Sequence, residues 1–312
     1  MPSRSRSVFP LVPRYRVAGL PFGGTASLRR GHGSDVAGTR AYVRGDPLST
    51  IDWRASARIS TARGSDEFVV RERFAEEAAR VVVVCDLGPS MALYPPRFPW
   101  LSKPAVVASA TELIVESALA AHAAVGYVDY AGSGERGGGP FWIAPHSRGR
   151  HEIEDRQSSV GLYDAPEDSL DLALDFLARF RSELSSGTFI FVLSDFLRTR
   201  LGSSSVLAAA ARRWEVIPVI IQDPTWERSF PPVGPLILPL VEAGSDEEIE
   251  VYVSRREARS RREANERRHR ELLAGFVRLG LDPIALDSSD DSEIDRTFTA
   301  WAIERDDLRR RR

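Results

Sequence analysis

An α/β fold built on a mainly parallel sheet is what this 312-residue sequence predicts. Three observations lead there. Val81-Val-Val-Val-Cys85 and Phe189-Ile-Phe-Val-Leu193 are short, unbroken apolar runs, the composition of strands covered on both faces, which belong at the centre of a parallel sheet. Each run ends in an acid close to a hydroxyl, Asp86 with Ser90 and Asp195 with Ser194. Strand-like runs then alternate with helical stretches, the pattern of crossover connections.

Residues 1–40 are rich in Gly, Arg and Ser with scattered Pro, and read as loop, with 1–24 a loose extension. Asp46-Pro47 suits a helix start, Asp as N-cap and Pro at the first helical position. That helix would carry Ile51, Trp53 and Ala55-Ser-Ala57, with Trp53 as its anchor on the core. Glu67–Phe74 and Arg80–Cys85 read as strands. Pro104–Ala124 is an Ala-rich helix and Val125–Tyr130 a strand. Pro140–Pro145 follows as a strand, the two together making an antiparallel hairpin edge.

Ser169–Arg181 is an amphipathic helix with Leu170, Ala173, Leu174 and Leu177 on one face. After the second buried run come a helix near Ser203–Arg213 and a strand at Glu215–Ile221. Phe230–Leu240 is Pro-rich and reads as an extended connection, Glu248–Val253 as a strand. Arg255–Phe276 is a densely charged helix whose acids alternate with its arginines, which favours a salt-bridged, solvated face over an RNA-binding one. Ile284–Leu286 closes as a short strand, Ser292–Ile303 as a helix, and 306–312 as a basic tail. The expected division is an N-terminal segment, 1–78, and an α/β domain, 79–305.

Composition removes several function classes. The 42 basic and 44 acidic side chains leave a net charge of -2, which supplies no global field for nucleic acid or anionic membrane. Cys85 is the only cysteine, so neither a disulfide framework nor a Cys-rich metal site is expected. No apolar run approaches the ~20 residues that span a bilayer, and a soluble, cytoplasmic chain without membrane insertion is the expectation. The five histidines, among them His146 and His151 in an expected loop, show no zinc spacing. A phosphate-binding Gly-x-x-x-x-Gly-Lys-Ser/Thr loop is missing, so the chain is not expected to be an ATPase itself. Arg44-Gly45-Asp46 spells an integrin tripeptide by coincidence. Asp86-Leu-Gly-Pro-Ser90 is similar to the nucleophile loop of haloacid-dehalogenase-like phosphatases, but Gly88 stands where their second Asp is needed.

In open parallel sheets ligands bind beyond the carboxyl ends of the strands. If the two buried runs are neighbours, Asp86 and Asp195 face one crevice, and carboxylate and hydroxyl oxygens are what a hard cation takes. This arrangement resembles the von Willebrand factor A domain and its metal-ion-dependent adhesion site. In that family the first strand ends in Asp-x-Ser-x-Ser, a later loop supplies a Thr, and a further strand ends in Asp. Asp86, Gly88 and Ser90 occupy the first motif, with Gly replacing its first Ser. Asp195 fits the late Asp, and Asp168 or Ser169 stands nearest to the loop Thr, Ser169 being the residue carried forward. The resemblance implies Mg²⁺ or Mn²⁺ on Asp86, Ser90, Asp195 and Ser169. The competing reading is a structural turn with no cofactor, in which Asp86 and Ser90 are caps.

Upstream, Arg40-Ala-Tyr42-Val-Arg-Gly45-Asp46 and Ile51-Asp52-Trp53-Arg54-Ala-Ser-Ala-Arg58 resemble the signature of the bacterial domain-of-unknown-function-58 family, over roughly residues 25–305. The resemblance implies a von Willebrand A-like half from Arg80 onward and a MoxR-type AAA+ ATPase as partner. Arg40, Arg44, Arg54 and Arg58 either bind an anionic ligand or, the reading carried forward, fix the N-terminal segment. The functional expectation is a non-catalytic protein-interaction module that assists assembly or maturation of client proteins, with a degenerate adhesion site. The alternative is a metal-dependent hydrolase using the Asp86/Asp195 crevice.

Overall fold

The structure is a computed structural model that describes residues 8–13, 30–44, 46, 48–64, 67–74, 79–92, 101–130, 139–159, 165–166, 168–179, 184–185, 187–198, 205–241 and 248–311. The chain divides into a smaller unit, 15–79, and a larger one made of 1–14 and 80–312.

In the smaller unit β1 (Arg30–Ala41) pairs antiparallel with β2 (Val69–Phe74), and α1 (Trp53–Arg63) lies between them in sequence. A strand at 30–41 replaces the loop expected there, because pairing with β2 supplies an order that a Gly- and Arg-rich composition does not signal. The helix also starts later than expected. Its cap is Asp52, whose Oδ1 accepts from the N–H groups of Arg54 and Ala55, both at 3.1 Å. Asp46 is engaged elsewhere, taking both terminal nitrogens of Arg40 at 2.7 Å and the Val43 N–H at 2.9 Å. Ser56 ties α1 to β2, its hydroxyl accepting from the Val69 N–H at 2.9 Å. Gly64, at φ 65°, ends the helix in the left-handed region that a residue with a Cβ enters at a cost.

The larger unit runs β3 (Arg80–Cys85), α2 (Lys103–Ala120), β4 (Ala124–Tyr130), β5 (Pro140–His146), α3 (Gly149–Ser159), α4 (Ser169–Arg179), β6 (Phe189–Ser194), α5 (Ser205–Ala211), β7 (Glu215–Ile221), β8 (Leu236–Val241), β9 (Glu248–Val253), α6 (Arg255–Arg278), β10 (Ile284–Leu286) and α7 (Asp291–Arg310). Six strands form one sheet in the order β10-β7-β6-β3-β4-β5. All neighbours are parallel except β4 and β5, the expected antiparallel edge. This is the doubly wound α/β class expected for a von Willebrand factor A-like domain.

Period-2 alternation divides the apolar runs between two helical layers. Val82, Val84, Ile190 and Val192 share one core cluster with Leu174 and Leu177 of α4, Leu207 of α5 and Phe276 of α6. On the opposite face Phe191 meets Phe298 and Trp301 of α7, with ring centroids 6.4 and 6.1 Å away.

Several expectations are corrected here. Phe9, Leu11 and Val12, from the stretch expected to be loose, are buried in this unit. Phe9 packs on Phe298 at 5.0 Å and its N–H donates to Ser117 Oγ at 3.1 Å; burial of its ring together with Leu11 and Val12 outweighs the cost of ordering this short apolar segment. His151 lies on α3 and His146 closes β5, so neither stands in a loop. Residues 236–241 form a strand, since β9 offers them an antiparallel partner. Helix α7 continues through 306–310 of the expected tail, where Asp306 pairs with Arg309 and Arg310 at 3.3 and 2.8 Å.

Candidate functional site

Strands β3 and β6 are neighbours in register, Cys85 opposite Leu193, so their terminal acids open on the same end of the sheet. The helix after β3 (α2) packs on one face with α7, and the helix after β6 (α5) packs with α4 on the other. The two strands therefore flank the point where winding reverses, the usual place for a crevice in an open sheet. Asp86, Gly88, Pro89, Ser90, Asp168, Leu170, Asp171, Asp195 and Arg198 line it.

Asp86 follows the last residue of β3 and is buried. Its Oδ1 accepts from the Gly88 N–H (2.9 Å) and Ser169 Oγ (3.0 Å), and its Oδ2 from Ser194 Oγ (2.6 Å). Burial pushes the carboxyl above its ordinary value, and Asp195 adds to that rise. The Ser194, Gly88 and Ser169 donors oppose it. Gly88 is the departure from the adhesion motif. A Cβ there would lie 3.1 Å from Asp86 Oδ1, so a serine in its place would need that carboxylate to give by a few tenths of an ångström. Next to this carboxylate, on the strand itself, burial raises the Cys85 thiol to about 12, which leaves it an inert core residue.

Asp195 is held differently. Its Oδ1 accepts from the Leu197 N–H at 3.0 Å and its Oδ2 from Lys103 Nζ at 2.8 Å. The turn that makes this possible puts Phe196 at φ 52°. The strain is held by its buried ring against Phe276 at 5.1 Å and by its N–H donating to Ser194 Oγ at 3.0 Å.

Lys103, the first residue of α2, is 0% exposed. Besides Asp195, its ammonium donates to Glu227 Oε1 at 2.6 Å and to the Ser90 carbonyl at 3.0 Å. Burial works against its charge, yet Asp195 and Glu227 together hold its pKa above the ordinary lysine value. Glu227 comes from the turn after β7, where its other oxygen accepts the Asp223 N–H at 2.8 Å. Burial raises its carboxyl, and Lys103 opposes that rise. Gln222 closes the back of the site, donating to the Asp195 carbonyl at 2.5 Å.

The structure thus brings Asp86, Ser90, Ser169 and Asp195 together, as the sequence suggested. It adds Lys103, Ser194 and Glu227. Lys103 carried a signal that residue-by-residue motif reading passes over: it is the only lysine among 42 basic residues. Glu227 had no such signal. The donor set does not fit a divalent ion as it stands. Asp86 is committed to three hydrogen bonds, and an ammonium already occupies the space between Asp195, Glu227 and the Ser90 carbonyl. Among the described residues no group of three or more His, Cys, Asp or Glu is disposed to hold a metal.

The signature residues sit in the smaller unit. Arg40 and Asp46 form the ion pair described above, Asp52 caps α1, and Arg58 turns back on the Arg54 carbonyl at 3.3 Å. Gly45 lies outside the described residues. Trp53 is not the expected core anchor: it is 61% exposed, stacked edge-on at 6.0 Å against Phe68, which in turn meets Tyr42 at 6.5 Å.

A family model described as "Protein of unknown function DUF58" matches residues 38–272. The chain belongs to the DUF58 family. No curated protein matches this DUF58 chain. Among solved structures, the conserved hypothetical protein BatB from Bacteroides thetaiotaomicron is similar at 14% identity and a TM-score of 0.42, covering 72% of this chain and 100% of its own. An aerotolerance-related membrane protein from Bacteroides fragilis, bearing multiple mutations to serine, is similar at 15% identity and a TM-score of 0.38, with the same coverage. Among the described residues of the DUF58 chain, no helix is long and apolar enough to cross a membrane.

Proposed function

We propose that this DUF58 protein is a non-catalytic interaction module that works in the cytoplasm with a MoxR-type AAA+ ATPase in the assembly or maturation of client proteins. Its strand-end crevice is, in this reading, a degenerate adhesion-type site. The observation that carries the proposal is the exposure of the signature segment. Trp53 (61%), Phe68 (46%), Val43 (62%) and Leu48 (67%) present large apolar groups to solvent, and Arg44, Arg54 and Arg58 are exposed beside them in sequence. A residue kept for packing is buried; aromatic and arginine side chains left on a surface are the composition of an interface core.

The crevice supports the same reading. Its hydroxyls at Ser169 and Ser194 both donate to Asp86, and the described residues place no histidine beside them to act as a base.

Crosslinking and co-purification from the native host, with nucleotide present and the products identified by mass, test it. The wild type is expected to recover an AAA+ ATPase, and Trp53→Ala to lose it while melting at the wild-type temperature. Recovery of no ATPase by the wild type under these conditions, or undiminished recovery by Trp53→Ala, counts against the proposal.

A further inference from the structure

A chain that writes nearly every positive charge as arginine keeps one lysine, and places it where no water reaches. The choice has a physical reason. A guanidinium is a planar fork suited to one carboxylate edge, whereas an ammonium is a compact point charge whose donors diverge. The oxygens around Lys103 diverge. They come from three separate turns, after β3, β6 and β7, at 3.0, 2.8 and 2.6 Å. This is oxygen coordination of a small cation, with the cation supplied by the chain.

We propose that Lys103 is the resident cation of the strand-end crevice: its ammonium takes the place of a divalent ion, binds the turns after β3, β6 and β7 together, and frees the site from any need for metal. Deepening the reading of the crevice as a degenerate adhesion-type site, the proposal changes what the crevice can recognise. A metal site offers an open coordination position to a partner's carboxylate. Here the cation is sealed beneath the surface, and the groups that line the opening include Asp86, Asp168, Asp171 and Asp195 with Arg198. A partner acid therefore finds no metal ion to bridge to, and Arg198 is the cation it meets at the opening. A second consequence is mechanical. Lys103 begins α2, so the position of that helix is coupled through one ammonium to the turn that carries Glu227.

Mn²⁺ titration of the full chain, read by water-proton relaxation and by thermal melting with and without EDTA, tests the proposal. The wild type is expected to show neither relaxation enhancement nor a change in Tm. Lys103→Ala is expected to melt roughly 10 °C lower, as loss of one partner from a buried ion pair implies for a domain of this size. Lys103→Arg should not restore the wild-type Tm. Three results overturn the proposal: Mn²⁺ stabilising the wild type in a manner that Asp195→Asn abolishes, Lys103→Ala melting with the wild type, or Lys103→Arg behaving as wild type. If Lys103→Ala does not fold, the wild-type titration still decides between ammonium and metal. None of these readings involves ATPase capture, so failure here and failure of the proposed partnership are separable.

Discussion

Asp129 and Asp195 stand at the same end of one sheet, near the ends of β4 and β6, and each is met by a cation from a helix. Arg156 of α3 grips Asp129 with two bonds, 2.8 and 2.7 Å, and lies over the Phe141 ring at 4.4 Å with its outer edge in water. Lys103 of α2 is wholly enclosed and divides its charge between Asp195, Glu227 and a carbonyl. The first is a two-pronged ion pair on one carboxylate, with the Tyr127 side chain hydrogen-bonded beside it, and able to admit water if broken. The second is a junction among three turns. The difference teaches that a single arginine can neutralise a buried acid near a sheet margin. At the switch point, where several turns converge, the cation also becomes part of the architecture.

Experiments that break or sharpen this contrast differ in size. Lys103→Met should have the largest effect, lowering the urea unfolding free energy by about 3–5 kcal/mol, because two carboxylates lose their counter-charge at once in a site closed to water. Arg156→Ala should cost less, about 2 kcal/mol, since Asp129 then gains access to solvent along the vacated edge; a loss equal to that of Lys103→Met would erase the distinction. Arg156→Lys keeps the charge and gives up the fork, and about 1 kcal/mol is expected from equilibrium unfolding.

The smallest effect belongs to the exposed Arg40–Asp46 pair. The Arg40 bonds, then the Val43 N–H, lower the Asp46 carboxyl from 3.8 to about 2. A depressed acid favours the fold above its unfolded value and loses that contribution as pH falls through its folded one, so the window is between 3.8 and about 2. Carboxyl NMR should give a midpoint near 2 in the wild type and a higher one in Arg40→Ala, without measurable unfolding at neutral pH.

Much of this was legible beforehand. The two buried runs, the antiparallel edge and the meeting of Asp86 with Asp195 follow from patterns that are local in sequence, because apolar strands declare themselves residue by residue and acids at their ends can only face the strand-end crevice. Asp46 illustrates the limit. Asp-Pro is a sound helix opening taken alone, but an arginine six residues upstream takes the carboxylate first. Arg30–Ala41 and Leu236–Val241 became strands because partners elsewhere in the chain completed their hydrogen bonds.

What the sequence by itself determined was therefore the alternation of elements, the class of sheet and the acids at its carboxyl edge, all encoded within spans of a few residues. The tertiary structure alone decided which charges meet. Lys103, Asp195 and Glu227 are 92 and 124 residues apart in the pairs they form. No local rule joins them: only the folded sheet brings three turns close enough for one ammonium to hold, and burial then makes that contact matter.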